Sequence, residues 1–102
     1  MESQFGNRIR SLREGQSLLL RQVASILEMD TAQLSKIERG ERQAKKETVL
    51  KIAKILKIKE SELLTLWLAD QIYEIVKGDE NALQAMMVAE ENVEYLKSHK
   101  AQ

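Results

Sequence analysis

The residues with the most specific chemistry lie between Thr31 and Arg39, in the stretch TAQLSKIER. Leu34 and Ile37 are three apart, which gives a helix a narrow apolar stripe and turns Thr31, Ala32, Gln33, Lys36 and Arg39 outward. That outward set is short, polar and basic. In a DNA major groove Gln pairs bidentately with adenine, Lys reaches guanine, and Thr or Ala packs on a thymine methyl. The positive end of a helix dipole adds a preference for phosphate. The same face also suits an ordinary solvated helix, and nine residues alone do not separate the two. Catalysis has far less to work with. The chain has no cysteine, which excludes disulfides, thiol catalysis and thiolate metal sites. His99 is the single histidine, so a zinc site has too few ligands. No Ser/His/Asp set and no phosphate-cradling glycine loop occur. The expectation is no enzyme, no metal and no cofactor.

A reading helix must be held by something. Upstream, Val23, Ala24 and Leu27 share one face of a preceding short helix, and the turn falls at Glu28–Met29. Asp30 stands at the N-cap, where its carboxylate can accept from the backbone N–H of Ala32 or Gln33. Gly40 marks the C-terminal stop. A first helix is predicted from Ser3 or Gln4 to Glu14, with Phe5, Ile9 and Leu12 inward. A fourth is predicted from about Glu47 to Leu56, with Val49, Ile52, Ala53 and Leu56 inward. Proline is absent and glycine occurs four times, which fits an all-α chain.

Helix 5 starts near residues 59–61 and continues to Lys77 without a breaker, and its apolar residues cover more than one face. Leu63, Leu64 and Trp67 can serve the core of residues 1–64, whereas Leu68, Ile72, Ile75 and Val76 need another partner. Gly78–Asp79 breaks the chain. Helix 6 is predicted from about Glu80 to Lys97, with Leu83, Met86, Met87, Val93 and Leu96 on one stripe and Glu90, Glu91 and Glu94 toward solvent. Residues 65–102 therefore read as a helical hairpin with three possible uses. It can be extra core, a homodimer interface through Leu68, Ile72, Ile75, Val76, Leu83, Met86, Met87 and Val93, or a docking site for another protein.

Hydrophobic residues make up 43% of the chain and charged residues 31%, as in a globular protein, and the net charge is zero. The charge is not evenly spread. Residues 1–60 carry 13 Lys and Arg against 8 Asp and Glu, a net of +5. Residues 61–102 carry 3 against 8, a net of −5. This asymmetry suggests a basic nucleic-acid-binding part and an acidic part with a different task. No apolar run approaches the roughly 18 residues of a membrane span, and the N-terminus lacks a signal-peptide core. A cytoplasmic, nucleoid-associated protein of a bacterium or phage is expected.

Four pieces in order carry a family likeness: IRSLRE at Ile9–Glu14, QVA at Gln22–Ala24, LSKIERGER at Leu34–Arg42, and TVLKIAKILKI at Thr48–Ile58. Over about Phe5 to Leu64 the chain resembles the phage-repressor-like, or Xre-type, helix-turn-helix proteins. The resemblance implies a five-helix DNA-binding bundle, to which this chain adds an extended helix 5 and a C-terminal helix 6. It implies that Thr31–Arg39 is the recognition helix, with Thr31, Ala32, Gln33 and Lys36 at base edges. It places Arg13 against Glu38 in a partly buried ion pair, and it sets the loop after Gly40 beside the recognition helix, so that Arg39, Arg42, Lys45 and Lys46 form a phosphate clamp. The sequence departs from the family pattern at several points. Leu20 replaces a glutamine that often contacts DNA, leaving Arg21 beside it as the phosphate contact. Glu28 stands where glycine is preferred at a left-handed turn. Ala44 replaces a frequent proline, and Lys57 a helix-ending glycine. The function implied is a sequence-specific transcriptional regulator, bound as a two-fold dimer to a palindromic operator. Phage repressors, antitoxins and restriction–modification controllers share this pattern, and the small size without a ligand domain fits the controllers well. The alternative is an antitoxin-like protein-interaction module that uses the acidic C-terminal helices.

Overall fold

The structure, a computed structural model, describes residues 3–99, and every regular element among them is a helix. The order is α1 (Gln4–Gly15), α2 (Leu20–Ile26), α3 (Thr31–Glu38), α4 (Lys46–Leu56), α5 (Glu60–Val76) and α6 (Ala82–His99). The chain forms two compact units, Met1–Gln71 and Ile72–Gln102.

Helices in the first unit stop by one device used four times. An N–H just past the helix end reaches back to a carbonyl five residues earlier. Leu18 donates to Arg13, Met29 to Ala24, Glu41 to Lys36, and Ile58 to Ala53, at 2.9–3.0 Å. This closure needs a left-handed residue just before the donor. Gly40 supplies it with φ 76°, but Ser17, Glu28 and Lys57 adopt φ 57°, 54° and 58° without being glycine. Each such non-glycine residue costs about 1 kcal/mol.

The core of this unit takes Phe5 and Ile9 from α1, Val23 and Ala24 from α2, and Leu34 and Ile37 from α3. From α4 come Val49, Ile52, Ala53 and Leu56, and from α5 comes Leu63. Leu64, Leu66 and Trp67 lie partly buried against it. Two contacts lock α1 in place. The Asp70 carboxylate of α5 accepts from Ser3 Oγ at 2.6 Å and from the backbone N–H of Gln4 and Phe5 at 3.0 and 3.1 Å. These N–H groups have no partner inside their own helix, so a carboxylate from α5 caps α1. At Gly6, α1 passes so near the end of α3 that an added Cβ would lie 2.3 Å from the Glu38 carbonyl oxygen.

The second unit is built differently. The turn after α5 uses Gly78 at φ 79°, and Asp79 Oδ1 accepts from Asn81 N at 2.8 Å. Helix α6 then begins at Ala82, two residues later than the expected Glu80, and none of its residues is buried. His99 stacks on Tyr95 with ring centroids 4.0 Å apart. No helix among the described residues is long and apolar enough to cross a membrane.

Candidate nucleic-acid interface

Helix α3 is short, so its pose depends on what holds its inner face. Asp30 starts it, accepting from Ala32 N at 2.7 Å. Leu34 and Ile37 are almost completely buried, and α3 packs against both α2 and α1. Glu38 is buried as well, at 7% exposure. A buried carboxylate needs compensation, and Arg13 provides it. Arg13 Nε donates to Glu38 Oε2 at 2.8 Å and Nη2 to Oε1 at 3.1 Å, a bidentate bridge. Its remaining terminal nitrogen, Nη1, donates to Leu18 O at 2.9 Å. The hydrogen bond to Glu38 raises the Arg13 pKa above its ordinary value, and coulombic attraction adds to it against the effect of burial. The pair lies over Ile9, Val23, Leu34, Ile52 and Leu56. It thus ties α1, the loop before α2 and the end of α3 into one rigid seat.

The outer face presents the expected residues. Thr31, Ala32 and Lys36 are exposed, and Gln33 is half-buried. Arg21 is exposed on α2, while Leu20 beside it packs half-buried against the core and turns away from any polar role. The α2 N-terminus is closed by Gln22, whose Oε1 accepts from Leu19 N at 2.7 Å.

The loop from Gly40 to Lys45 is pinned at Ala44. That side chain is buried at 4% exposure, and its carbonyl accepts from Trp67 Nε1 at 2.8 Å. The α5 tryptophan thus fixes the backbone at this position. Arg42, Lys45 and Lys46 are exposed around this anchor, with Lys45 at the N-cap of α4 and Lys46 its first residue.

Arg39 is the exception among the basic residues. Its guanidinium is engaged within the chain, by both Glu41 oxygens and by Ser35 Oγ at 2.6 Å. Hydrogen bonding first, and coulombic attraction second, raise the Arg39 pKa. The same hydrogen bond leads in lowering the Glu41 pKa. Reading the sequence for bases and phosphates missed Glu41 and Ser35. The missed signal was the acid two residues after Arg39, across a left-handed glycine that turns the chain back.

The apolar positions expected at an interface lie outside the core. Leu68, Ile72, Ile75, Leu83, Met86, Met87 and Val93 are exposed and Val76 is half-buried. Among the described residues no group of three His, Cys, Asp or Glu is placed to hold a metal ion.

Residues 4–66 match the model of a helix-turn-helix domain. The fold is similar to the crystal structure of the restriction-modification controller protein C.AhdI from Aeromonas hydrophila. The TM-score is 0.56 with 33% sequence identity, over 60% of this chain and 92% of that one. No curated protein sequence matches the chain. The domain match ends at Leu66, before the exposed apolar positions of α5 and before all of α6.

Proposed function

The chain belongs to the helix-turn-helix domain family, and on that premise we propose that it is a sequence-specific transcriptional regulator of the controller or repressor kind. Helix α3 enters the major groove, with Thr31, Ala32, Gln33 and Lys36 at base edges. Arg21, Arg39, Arg42, Lys45 and Lys46 hold the backbone and supply most of the salt-sensitive affinity. Two copies joined through Leu68, Ile72, Ile75, Val76, Leu83, Met86, Met87 and Val93 present two α3 helices about one DNA turn apart, on a palindromic operator. A controller role draws its support from the likeness to C.AhdI.

One observation carries this reading. A helix of eight residues is held rigidly from behind by Leu34, Ile37 and the Arg13–Glu38 bridge, while its solvent face is polar and basic. A helix that served only as scaffold would not need its pose set so firmly. The second reading, an antitoxin-like interaction module, is favoured by α6, whose large apolar side chains are exposed beside Glu90, Glu91 and Glu94.

Selection of random duplex DNA by the pure protein, with the mass of the bound species recorded, tests the regulator reading. A palindromic consensus bound by two copies is the expected outcome. Weak, salt-sensitive binding with no consensus would overturn it and turn the search toward a protein bound by residues 65–102.

A further inference from the structure

Arg39 follows the last residue of α3, beside the reading face, and the Glu41 carboxylate occupies the side edge of its guanidinium. Nε and Nη2 donate to Glu41 and Nη1 donates to Ser35, so three of the five N–H donors are engaged. Both side chains are about half exposed, at 50% and 55%. The pair is therefore not a buried structural bridge like Arg13–Glu38, and an exposed pair of this kind contributes little to stability. Its position gives it a different consequence. A phosphate that approaches Arg39 meets a guanidinium already satisfied by a carboxylate. It must displace Glu41 or share the cation with it.

We infer that Glu41 sets the DNA affinity of this site by acting as an internal competitor of phosphate for Arg39. Its geometry is that of a brake routed through one arginine: a bidentate contact two residues away, made possible by the left-handed turn at Gly40. Lys36 adds a smaller attraction that helps hold Glu41 in its charged form. The consequence is weaker binding to any duplex, because the phosphate contact is independent of sequence. Weakening that contribution leaves base readout a larger share of the total, which favours discrimination.

This inference rests on the proposed DNA-binding function, and a double-mutant cycle separates the two. The full-length protein, Glu41→Gln, Arg39→Ala and the double variant are titrated against a random-sequence duplex at several salt concentrations. Circular dichroism confirms that each is folded. Relative to the unaltered protein, Glu41→Gln is expected to bind roughly three- to tenfold more tightly, with a salt slope steeper by about one. In the Arg39→Ala background the same substitution is expected to change affinity by less than about twofold, because no arginine remains to release. An equal gain in both backgrounds would overturn the inference and leave only general charge removal. A weaker Glu41→Gln would overturn it too, by showing that Glu41 positions Arg39 for DNA and does not compete. No binding by the unaltered protein would remove the DNA-binding reading itself, and the inference with it.

Discussion

The unit up to Gln71 and the unit from Ile72 onward are made from similar helices, with leucine, isoleucine, valine and alanine repeated along one or more faces. Yet every buried apolar side chain among the described residues falls between Phe5 and Leu63, and α6 buries none. Amphipathic periodicity is present in both regions, so periodicity alone does not make a core. The first unit adds what the second lacks: short helices closed by backbone turns, a buried ion pair between α1 and α3, and an α5 carboxylate that caps α1. These are tertiary contacts that fix helix against helix. Among the described residues the second unit has a long helix with no such clasp, and its large apolar side chains stay exposed.

That contrast can be broken by substitutions in either unit. The largest effect is expected from Arg13→Ala, which strands Glu38 at 7% exposure. Loss of about 3–5 kcal/mol in urea unfolding is expected, and an unchanged melting temperature would show that the bridge does not hold the seat of α3. Gly6→Ala comes next. Alanine is normally the better helix former, but its Cβ meets the Glu38 carbonyl at 2.3 Å. Forcing α1 from α3 should cost about 1–3 kcal/mol, and a gain in stability would place the two helices further apart than described. Glu28→Gly has the opposite sign. The residue sits at φ 54°, so glycine should raise stability by about 1 kcal/mol, read as a higher midpoint in the same urea titration. The smallest effect belongs to the second unit. Leu83→Ser should leave the unfolding of the dilute monomer within about 0.5 kcal/mol, because Leu83 is 69% exposed. The same variant should shift association toward monomer in sedimentation. A large loss of monomer stability would mean that α6 has a core of its own.

Much of the first unit was legible in the sequence because its signals are local. Asp30 and Gly40 punctuate α3, the spacing of Leu34 and Ile37 orients it, and Glu28 and Lys57 stand at turns where the family pattern has glycine. Arg13 and Glu38 were paired from the motif, and periodicity alone would not have joined residues 25 apart. What escaped the reading depends on distant segments meeting. Asp70 is an ordinary polar residue of α5 until the N-terminus of α1 arrives beside it. Gly6 drew no reading from the sequence, although an isolated glycine in a helical pattern is a usable sign of close packing. The Arg39–Glu41 pair was hidden because residues two apart do not face each other on a helix, and only the turn at Gly40 brings them together. Helix α6 was expected as a helix and is one, from Ala82 to His99, but no local signal says what covers its apolar residues.

Titration of Lys36→Ala and Lys45→Ala against a selected operator and a random duplex, at several salt concentrations, tests most directly whether α3 reads bases while the following loop holds phosphates. Lys36→Ala is expected to lose affinity for the operator more than for the random duplex, relaxing the preference at one base position by about 1–3 kcal/mol. Lys45→Ala is expected to weaken both duplexes equally and to reduce the salt slope by about one. Two variants that lose affinity alike on both duplexes would contradict the division of labour between α3 and its loop.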